Sequence, residues 1–305
     1  MKQTYFFPLS FLIPNFEGET INVGQFSLRK RRWDTSTFDF ATLATKHKLH
    51  LPYQLMDVLI GKCNCELAIA GKDTFEAAAD TFQSFRLGLY LQGVSPFLVP
   101  YSTTESINDY SGVNERDSAI SRGVLPKIES AFSSHNHELE AWPMELTTQC
   151  MVIPSAFGLS SQKIESAVAF AQAWGELASD NPTLQVVTRT SASAVVLGSY
   201  EQSILHIWTA IEALFKSVSS EVNFRLSLYL TQLCAEGEAR KVFHSNAKSA
   251  YNIRSKIAHG ASKKVTFEQW KQAWDLLLAS VSAIEKRGRL PNEEDLLDEL
   301  LSAST

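Results

Sequence analysis

The chain has 305 residues, of which 45% are apolar and 20% are charged, and its formal net charge is −5 at pH 7. This length predicts two domains of about 150 residues each, with enough apolar side chains for a sizeable core. The balance of apolar and charged residues is that of an ordinary globular protein. A general nucleic-acid coat protein would be strongly basic, so the net negative charge argues against that class.

The first residues and the cysteines indicate the compartment. No apolar run approaches the length of about 20 residues that a membrane helix requires. Residues 1–14 predict a strand rather than a signal peptide, because Pro8 and Ser10 interrupt their apolar run. Four cysteines form no disulfide framework in a chain this long, and Cys63 and Cys65 have no second pair that could complete a zinc site. We therefore expect a cytoplasmic protein with no membrane contact, no metal and no cofactor.

The first half of the chain predicts a mixed α/β domain over residues 1–155, whose recognition role stays open. Residues 3–13 and 20–30 are rich in aromatic and β-branched side chains and predict two strands that could pair as a hairpin. Further strands are predicted at 65–70, 97–103 and 145–153, a helix at 74–93, and a mobile polar loop at 102–122.

The second half predicts helices. A helix capped by Ser160 or Ser161 connects the two halves within residues 156–183. Residues 184–197 present a conflict, because their Val and Thr content favours a strand. Plainer helical patterns follow at 199–217, 221–235, 238–259 and 266–287, and residues 291–305 form an acidic tail, either a short helix or frayed. The predicted fold class is α+β, with a mixed N-terminal domain and an all-α domain at 184–290.

The stretch with the clearest chemical content is the end of the helix predicted at 238–259. Apolar residues recur there at helical spacing, and Gly260 stands where a glycine would end the helix. Arg254 falls within the apolar stripe, so its guanidinium needs a polar or anionic partner. His259 lies about 140° further round the helix. The two side chains can share one site only if the helix unwinds at Gly260 or if they meet across a dimer axis.

The same segment is basic although the whole chain is acidic. Between residues 240 and 264 there are seven Lys or Arg residues and no Asp or Glu. Such a segment could guide a phosphate backbone to one place. A solvated helix face explains the same charges, and both interpretations stay open at this point.

Arg254 and His259, within the sequence IRSKIAHG, resemble the motif of the HEPN superfamily, in which a histidine follows an arginine after four to six residues. The sequence of this segment is similar to that of the Apea-like branch, which is found in bacterial and phage-defence proteins. Two upstream segments, 208–215 and 223–228, support the resemblance, which covers roughly the last 120 residues. It implies a helical bundle and a helix at 184–197. Ser255 directly follows the motif arginine, where many active members carry Asn, Asp or His.

The resemblance implies an endoribonuclease that cuts RNA without a metal, with Arg254 and His259 as catalytic residues at the cleft of a homodimer. Glu212 is the predicted partner of a buried Arg254 or Arg225, because it lies among apolar residues of the preceding helix. A plain structural ion pair is the alternative for Glu212. The resemblance also implies RNA as a partner, and the lysines predicted to bind it are Lys248, Lys256, Lys263 and Lys264.

Three functions follow as hypotheses. The first is the ribonuclease, acting in bacterial anti-phage or toxin-type defence with an antitoxin or a phage-derived trigger as a further partner. The second is a catalytically silent HEPN module that binds RNA or a partner protein, which Ser255 favours. The third is a structural or regulatory oligomer.

Overall fold

The computed structural model describes residues 2–31, 48, 50, 58–104, 106, 141–145, 147, 149–218, 220–261 and 264–302. The chain is α+β, with a six-stranded antiparallel sheet near the N-terminus followed by helices. It divides into two compact units, Met1–Phe82 with Val94–Val168, and Gln83–Gly93 with Ala169–Thr305. The predicted bounds of the domains (1–155, 156–183, 184–290 and 291–305) stay predictions. No helix among the described residues is both long and apolar enough to cross a membrane.

The strands belong to one large sheet and one short parallel pair. In chain order they are β1 (Gln3–Ser10), β2 (Ile13–Pro14), β3 (Thr20–Val23), β4 (Phe26–Lys30), β5 (Cys63–Lys72), β6 (Tyr101–Thr103), β7 (Ala141–Pro143) and β8 (Gly158–Leu159). The large sheet has the order β3-β4-β5-β1-β6-β7, and β2 pairs with β8. Strand β5 therefore lies in the interior of the sheet, between β4 and β1.

The hairpin expected between residues 3–13 and 20–30 is wrong. Strand β1 pairs with β5 and β6, whereas residues 20–30 form a hairpin of their own, β3 with β4. Gly24 at the turn has a φ of 58°, which glycine adopts without the steric cost that a side chain would add. The strand expected at 145–153 is also wrong: its described residues contain no strand, and the edge strand β7 ends earlier, at Pro143.

A buried ion pair lies within the sheet. Arg29 of β4 stands directly opposite Glu66 of β5, and Arg29 Nε lies 3.2 Å from Glu66 Oε1. Ser106 Oγ donates a hydrogen bond of 2.9 Å to the other carboxylate oxygen of Glu66. The Glu66 side chain has no exposed area, so these partners replace the water that the carboxylate would otherwise bind.

The helices are α1 (Phe75–Leu91), α2 (Ser161–Ser179), α3 (Pro182–Ala194), α4 (Tyr200–Ala213), α5 (Val222–Cys234), α6 (Ala239–Ala258), α7 (Phe267–Arg287) and α8 (Glu293–Ser302). Helix α3 resolves the conflict at 184–197 in favour of a helix. Asn181 caps it by accepting hydrogen bonds from the amides of Thr183 and Leu184, and Pro182 occupies its first turn. Val187 is fully buried, so tertiary packing outweighs the strand preference of this stretch.

The core of the helical unit is aromatic. Trp208, Trp270 and Trp274 are fully buried, and the rings of Trp270 and Trp274 stack 5.8 Å apart. Trp270 Nε1 donates a 2.8 Å hydrogen bond to Ser203 Oγ, which satisfies the indole inside the core. This packing holds α4 and α7 together beside α6, which carries the residues of the candidate site.

Candidate functional site

Helix α6 ends in a closed glycine cap. Gly260 has a φ of 68° and its amide donates to the carbonyl of Ile257 at 3.0 Å. The amide of Ala261 donates to the carbonyl of Lys256 at 2.8 Å, so the two bonds form a Schellman motif. The glycine stop predicted from the sequence is confirmed. It fixes His259 as the C-terminal cap residue of the helix.

Arg254 lies on the inner face of α6, as its position in the apolar stripe predicted. The buried residues Ala250 and Ala247 precede it by one and two helical turns. Arg254 Nη2 lies 2.9 Å from Glu212 Oε1 and donates a 3.0 Å hydrogen bond to Glu212 Oε2. The side chains are 27% and 30% exposed, so the pair lies at the edge of the core and is partly open to solvent, while Glu212 Oε1 and Arg254 Nε are themselves buried.

Arg254 packs on the ring of Tyr251, which in turn packs on Trp208. The Arg254 guanidinium carbon lies 5.7 Å from the centre of the Tyr251 ring, and Tyr251 packs edge-on against Trp208 at 5.3 Å. Burial raises the pKa of Tyr251; the charge of Arg254 partly opposes this rise and that of Glu212 adds to it. The phenol therefore stays neutral at ordinary pH and offers a ring face to the cation.

His259 is exposed, and its backbone amide donates to the carbonyl of Ser255 at 3.1 Å. Among the described residues no hydrogen bond or ion pair engages its imidazole. Because the helix is regular up to Ala258, His259 and Arg254 project from different sides of α6. Within a single chain, Arg254 and His259 therefore lie near the same end of α6 but on different faces of the helix.

Arg225 does not pair with Glu212, which was one of the two pairings that the sequence predicted. Its Nη2 donates to Tyr229 Oη at 3.3 Å and lies 3.8 Å from Glu293 Oε2. Glu212 binds Arg254 instead. Of the two arginines that the sequence offered to Glu212, the structure thus selects Arg254. Ser255 is half-buried. Its backbone carbonyl accepts the hydrogen bond from the amide of His259, and its hydroxyl takes part in no hydrogen bond among the described contacts.

The lysines predicted to bind RNA are exposed where the structure describes them. Lys248 and Lys256 lie on the solvent face of α6, and Lys264 follows the glycine cap. Lys263 lies outside the described residues. Lys256 in the last turn also complements the negative end of the helix dipole.

Sequence reasoning missed two features near this site. Asn223 Nδ2 donates a 2.8 Å hydrogen bond to Asn252 Oδ1, which links α5 to α6 at the solvent face. The acidic tail forms α8, the short helix that was one of the two expectations for it, and the contact that was missed is between Glu299 and Arg287, with hydrogen bonds of 2.8 and 3.0 Å. An arginine-rich end to α7, followed by an acidic segment with leucines at helical spacing, is the signal that would have indicated the second feature.

The described residues contain no group of three or more His, Cys, Asp or Glu side chains that could hold a metal ion. Cys63 is buried on β5, and burial raises the pKa of its thiol to about 12, which makes it a poor nucleophile and a poor metal ligand. The chemistry that the described site offers thus comes from the guanidinium, the carboxylate, the imidazole and the nearby lysines.

No protein-family model, curated protein or solved protein structure matches this chain. The resemblance to the HEPN superfamily is therefore carried by the residues quoted from the sequence.

Proposed function

We propose that this protein is a metal-independent endoribonuclease of the HEPN type, with Arg254 and His259 as its catalytic residues and bacterial anti-phage or toxin-type defence as its setting. The observation that carries the proposal is the state of Arg254. It is the motif arginine, it is held by Glu212 through Nη2 alone, and it remains partly open to solvent. A purely structural arginine would be expected to use more of its donors on the protein.

The guanidinium can stabilise the reaction's charge. RNA cleavage by the 2′-hydroxyl places negative charge on the non-bridging phosphate oxygens as the phosphorane forms. A guanidinium keeps its charge at every accessible pH and presents five N–H donors in a fixed plane. In the described contacts Glu212 engages Nη2 and no hydrogen bond engages Nη1, which leaves donors for a phosphate oxygen. Glu212 serves as the positioning residue that fixes the plane of the fork.

The imidazole can transfer the protons. The 2′-hydroxyl must lose a proton, and the 5′ oxygen must gain one as it leaves. Histidine titrates near neutral pH and can perform either role, each of which contributes a factor of about 10²–10⁴. His259 is exposed at a rigid helix cap, so a substrate can reach it.

A homodimer completes this site. One histidine per chain does not easily serve as base and acid in the same turnover, and Arg254 and His259 project from different sides of α6. A two-fold axis near the end of α6 would bring one chain's arginine beside its partner's histidine. The exposed Lys248, Lys256 and Lys264 would then guide the RNA backbone, together with Lys263.

The test is cleavage of total tRNA and of a labelled single-stranded RNA in the presence of EDTA. We expect Arg254→Ala to reduce the rate by at least about 100-fold, because it removes the donor to the developing charge. His259→Ala should reduce it by about 10²–10⁴-fold. Arg254→Lys should recover little, since an ammonium group keeps the charge and loses the fork.

Two matched variants control for general effects on charge and folding. His244→Ala removes a histidine from the same helix, and Arg289→Ala removes an arginine that binds Asp295 outside the motif. Both should cleave as the wild type does. Cleavage that survives Arg254→Ala and His259→Ala, with circular dichroism spectra unchanged, would show that the chemistry lies on other residues.

The dimer has its own test. Wild-type protein is mixed with an excess of a double variant, Arg254→Ala with His259→Ala, and allowed to exchange subunits. A cleft shared between chains should lose activity, because a mixed dimer places neither an arginine beside its partner's histidine nor two histidines in one cleft. A monomer in light scattering, or activity that stays proportional to the amount of wild-type chain after proven exchange, contradicts the shared cleft.

The second candidate is a silent module that binds RNA or a partner protein such as an antitoxin or a phage-derived trigger. The ion pair to Glu212 favours it, because that carboxylate competes with a phosphate for the same guanidinium. RNA bound by the folded wild type without cleavage of any RNA tested, with and without the trigger, would select this candidate. Absence of RNA cleavage, of RNA binding and of binding to an antitoxin or trigger would select the structural oligomer.

A further inference from the structure

Phe224 is an aromatic side chain that the core does not use. It is 54% exposed on α5, and Phe11 at 39% is the other exposed phenylalanine among the described residues. Most large aromatic side chains of the helical unit are buried, including Phe215, Tyr229 and the tryptophans. A phenylalanine ring that is 54% exposed contributes little to the core, and it is well suited to contact a flat ligand group.

Phe224 lies close to the basic face of α6, because its neighbour in the chain contacts that face. The preceding residue, Asn223, is joined to Asn252 by the 2.8 Å hydrogen bond between their side chains. Asn252 stands midway in a row of exposed residues in which Lys248 is one turn before it and Lys256 one turn after it. His259 lies on the same face, three residues after Lys256. Phe224 therefore lies at the side of a row that carries two lysines, an asparagine and the motif histidine.

The charges around the ring favour a polyanion. From 240 to 264 the sequence contains no Asp or Glu. Glu221, the residue directly before α5, is exposed three residues before Phe224, and Glu293 of α8 is already engaged by Arg225. Glu221 is thus the acidic group nearest in sequence, set against the lysines of the row. Lysine is depleted at the centres of protein interfaces, so a ring beside a lysine row fits a nucleic acid better than an apolar protein surface.

We propose that Phe224 and the α6 row of Lys248, Asn252 and Lys256 form a binding surface for single-stranded RNA, in which a base stacks on Phe224 and the phosphates follow the lysines. This inference rests on the proposed function and names its substrate class. A base within a duplex is stacked on its neighbours and is not free for an aromatic side chain, whereas an unpaired base is. Stacking on one ring is tolerant of sequence, so little base preference is expected.

The experiment measures binding by fluorescence anisotropy with the full-length protein. The probe is a labelled 12-nucleotide RNA of mixed sequence, fully 2′-O-methylated so that its 2′ oxygens cannot attack. A duplex of the same sequence is the comparison. Phe224→Ala should weaken binding of the single strand by about 5- to 100-fold. Phe224→Leu should weaken it similarly, and Phe224→Trp should preserve it, because the ring and not its bulk is the contact.

Leu301→Ala is the matched control. Leu301 is a 65% exposed apolar side chain on α8, and its removal should leave the affinity unchanged. Lys248→Ala should weaken binding of any sequence and reduce the slope of log K against log salt by about one. Affinity for the duplex should change less than twofold with Phe224→Ala.

Four results would overturn the inference: no binding of the single strand by the wild type, full affinity in Phe224→Leu, equal losses for single strand and duplex, or dissociation of a dimer by Phe224→Ala. The last result would assign Phe224 to a subunit interface. The outcome is separable from that of the nuclease. Ring-dependent binding without cleavage of unmodified RNA removes the enzyme and keeps the surface, and cleavage that ignores Phe224 keeps the enzyme and removes the surface.

Discussion

Two arginine–glutamate pairs in this chain have nearly the same distance and very different surroundings. Arg29 and Glu66 meet within the sheet at 3.2 Å, and Arg254 and Glu212 meet at the edge of the helical core at 2.9 Å. The two arginines are exposed to nearly the same degree, at 29% and 27%. The carboxylates differ, since that of Glu66 is fully buried and that of Glu212 is 30% exposed.

The two pairs differ in how easily the arginine can be separated from its carboxylate. A buried carboxylate has lost its water, so separating it from its arginine leaves an unsolvated charge. A carboxylate that is 30% exposed keeps part of its contact with water and costs less to separate, and solvent-exposed pairs contribute about 0.2–1 kcal/mol. Glu66 therefore binds Arg29 permanently as part of the sheet, whereas Glu212 can orient Arg254 and still allow a phosphate to reach it.

The largest effect is expected when each glutamate is replaced by alanine and stability is compared. Glu66→Ala should lower the free energy of unfolding by about 3 kcal/mol, because it opens a cavity at a side chain with no exposed area and leaves the buried Ser106 hydroxyl without its acceptor. Glu212→Ala should cost at most about 1 kcal/mol. Urea unfolding followed by circular dichroism measures both. Equal losses in the two variants would break the comparison.

Cleavage should rank the same two variants in the opposite order. Glu212→Ala should slow RNA cleavage by about tenfold, because an arginine that is free to rotate places its donors less precisely. Glu212→Gln keeps an acceptor for Nη2 and should lose less. Glu66→Ala, assayed where it is still folded, should cleave normally. The rate is measured with saturating substrate and again well below saturation, since a positioning role should lower kcat more than it changes KM.

The glycine caps give a smaller and more specific test. Gly260 and Gly288 both end helices with positive φ, 68° and 66°, and both have open space where a Cβ would be added. Gly260→Ala and Gly288→Ala should each cost about 1 kcal/mol of backbone strain. Only Gly260→Ala shifts the cap that carries His259, so only this variant should slow cleavage. A loss of cleavage shared by both variants would point to general destabilisation.

The smallest effect is expected at alkaline pH. Burial raises the pKa of Tyr251 in the folded protein, so above the ordinary tyrosine pKa near 10 the unfolded chain loses its proton first. The stability contributed by the neutral phenol is complete below that pH and is lost as the pH rises through the folded pKa. Tyr251→Phe should flatten this alkaline decline in urea midpoints. An unchanged decline would place Tyr251 in a more solvated position than its packing under Arg254 implies.

Local patterns predicted much of the helical half. The glycine stop at Gly260 follows from the spacing of the residues before it, which is a local property. The sequence offered Glu212 to either Arg254 or Arg225, and the packing of the helices selects Arg254. Residues 184–197 were harder, because strand propensity conflicted with burial and burial decided the outcome. The sheet order was missed at β1, since its pairing with β5 joins residues about 60 apart and no local pattern encodes that choice.

The candidate site was predictable as a list of residues and less so as an arrangement. The sequence placed Arg254 inside and His259 about 140° away, and the regular helix up to Ala258 retains that separation. It did not indicate Tyr251 beneath the guanidinium or the bond between Asn223 and Asn252, because each depends on how neighbouring helices pack. The role of each residue in cleavage stays a prediction.

The most direct test of the central claim is the chemistry of the products. A single-stranded RNA is incubated with wild-type protein in EDTA, and the ends of the fragments are analysed by mass spectrometry. Attack by the 2′-hydroxyl, assisted by Arg254 and His259, should leave 2′,3′-cyclic phosphates and 5′-hydroxyls, and a 2′-deoxy substitution at the scissile position should abolish the cut. Fragments with 5′-phosphates, or cutting that EDTA prevents, would contradict the account.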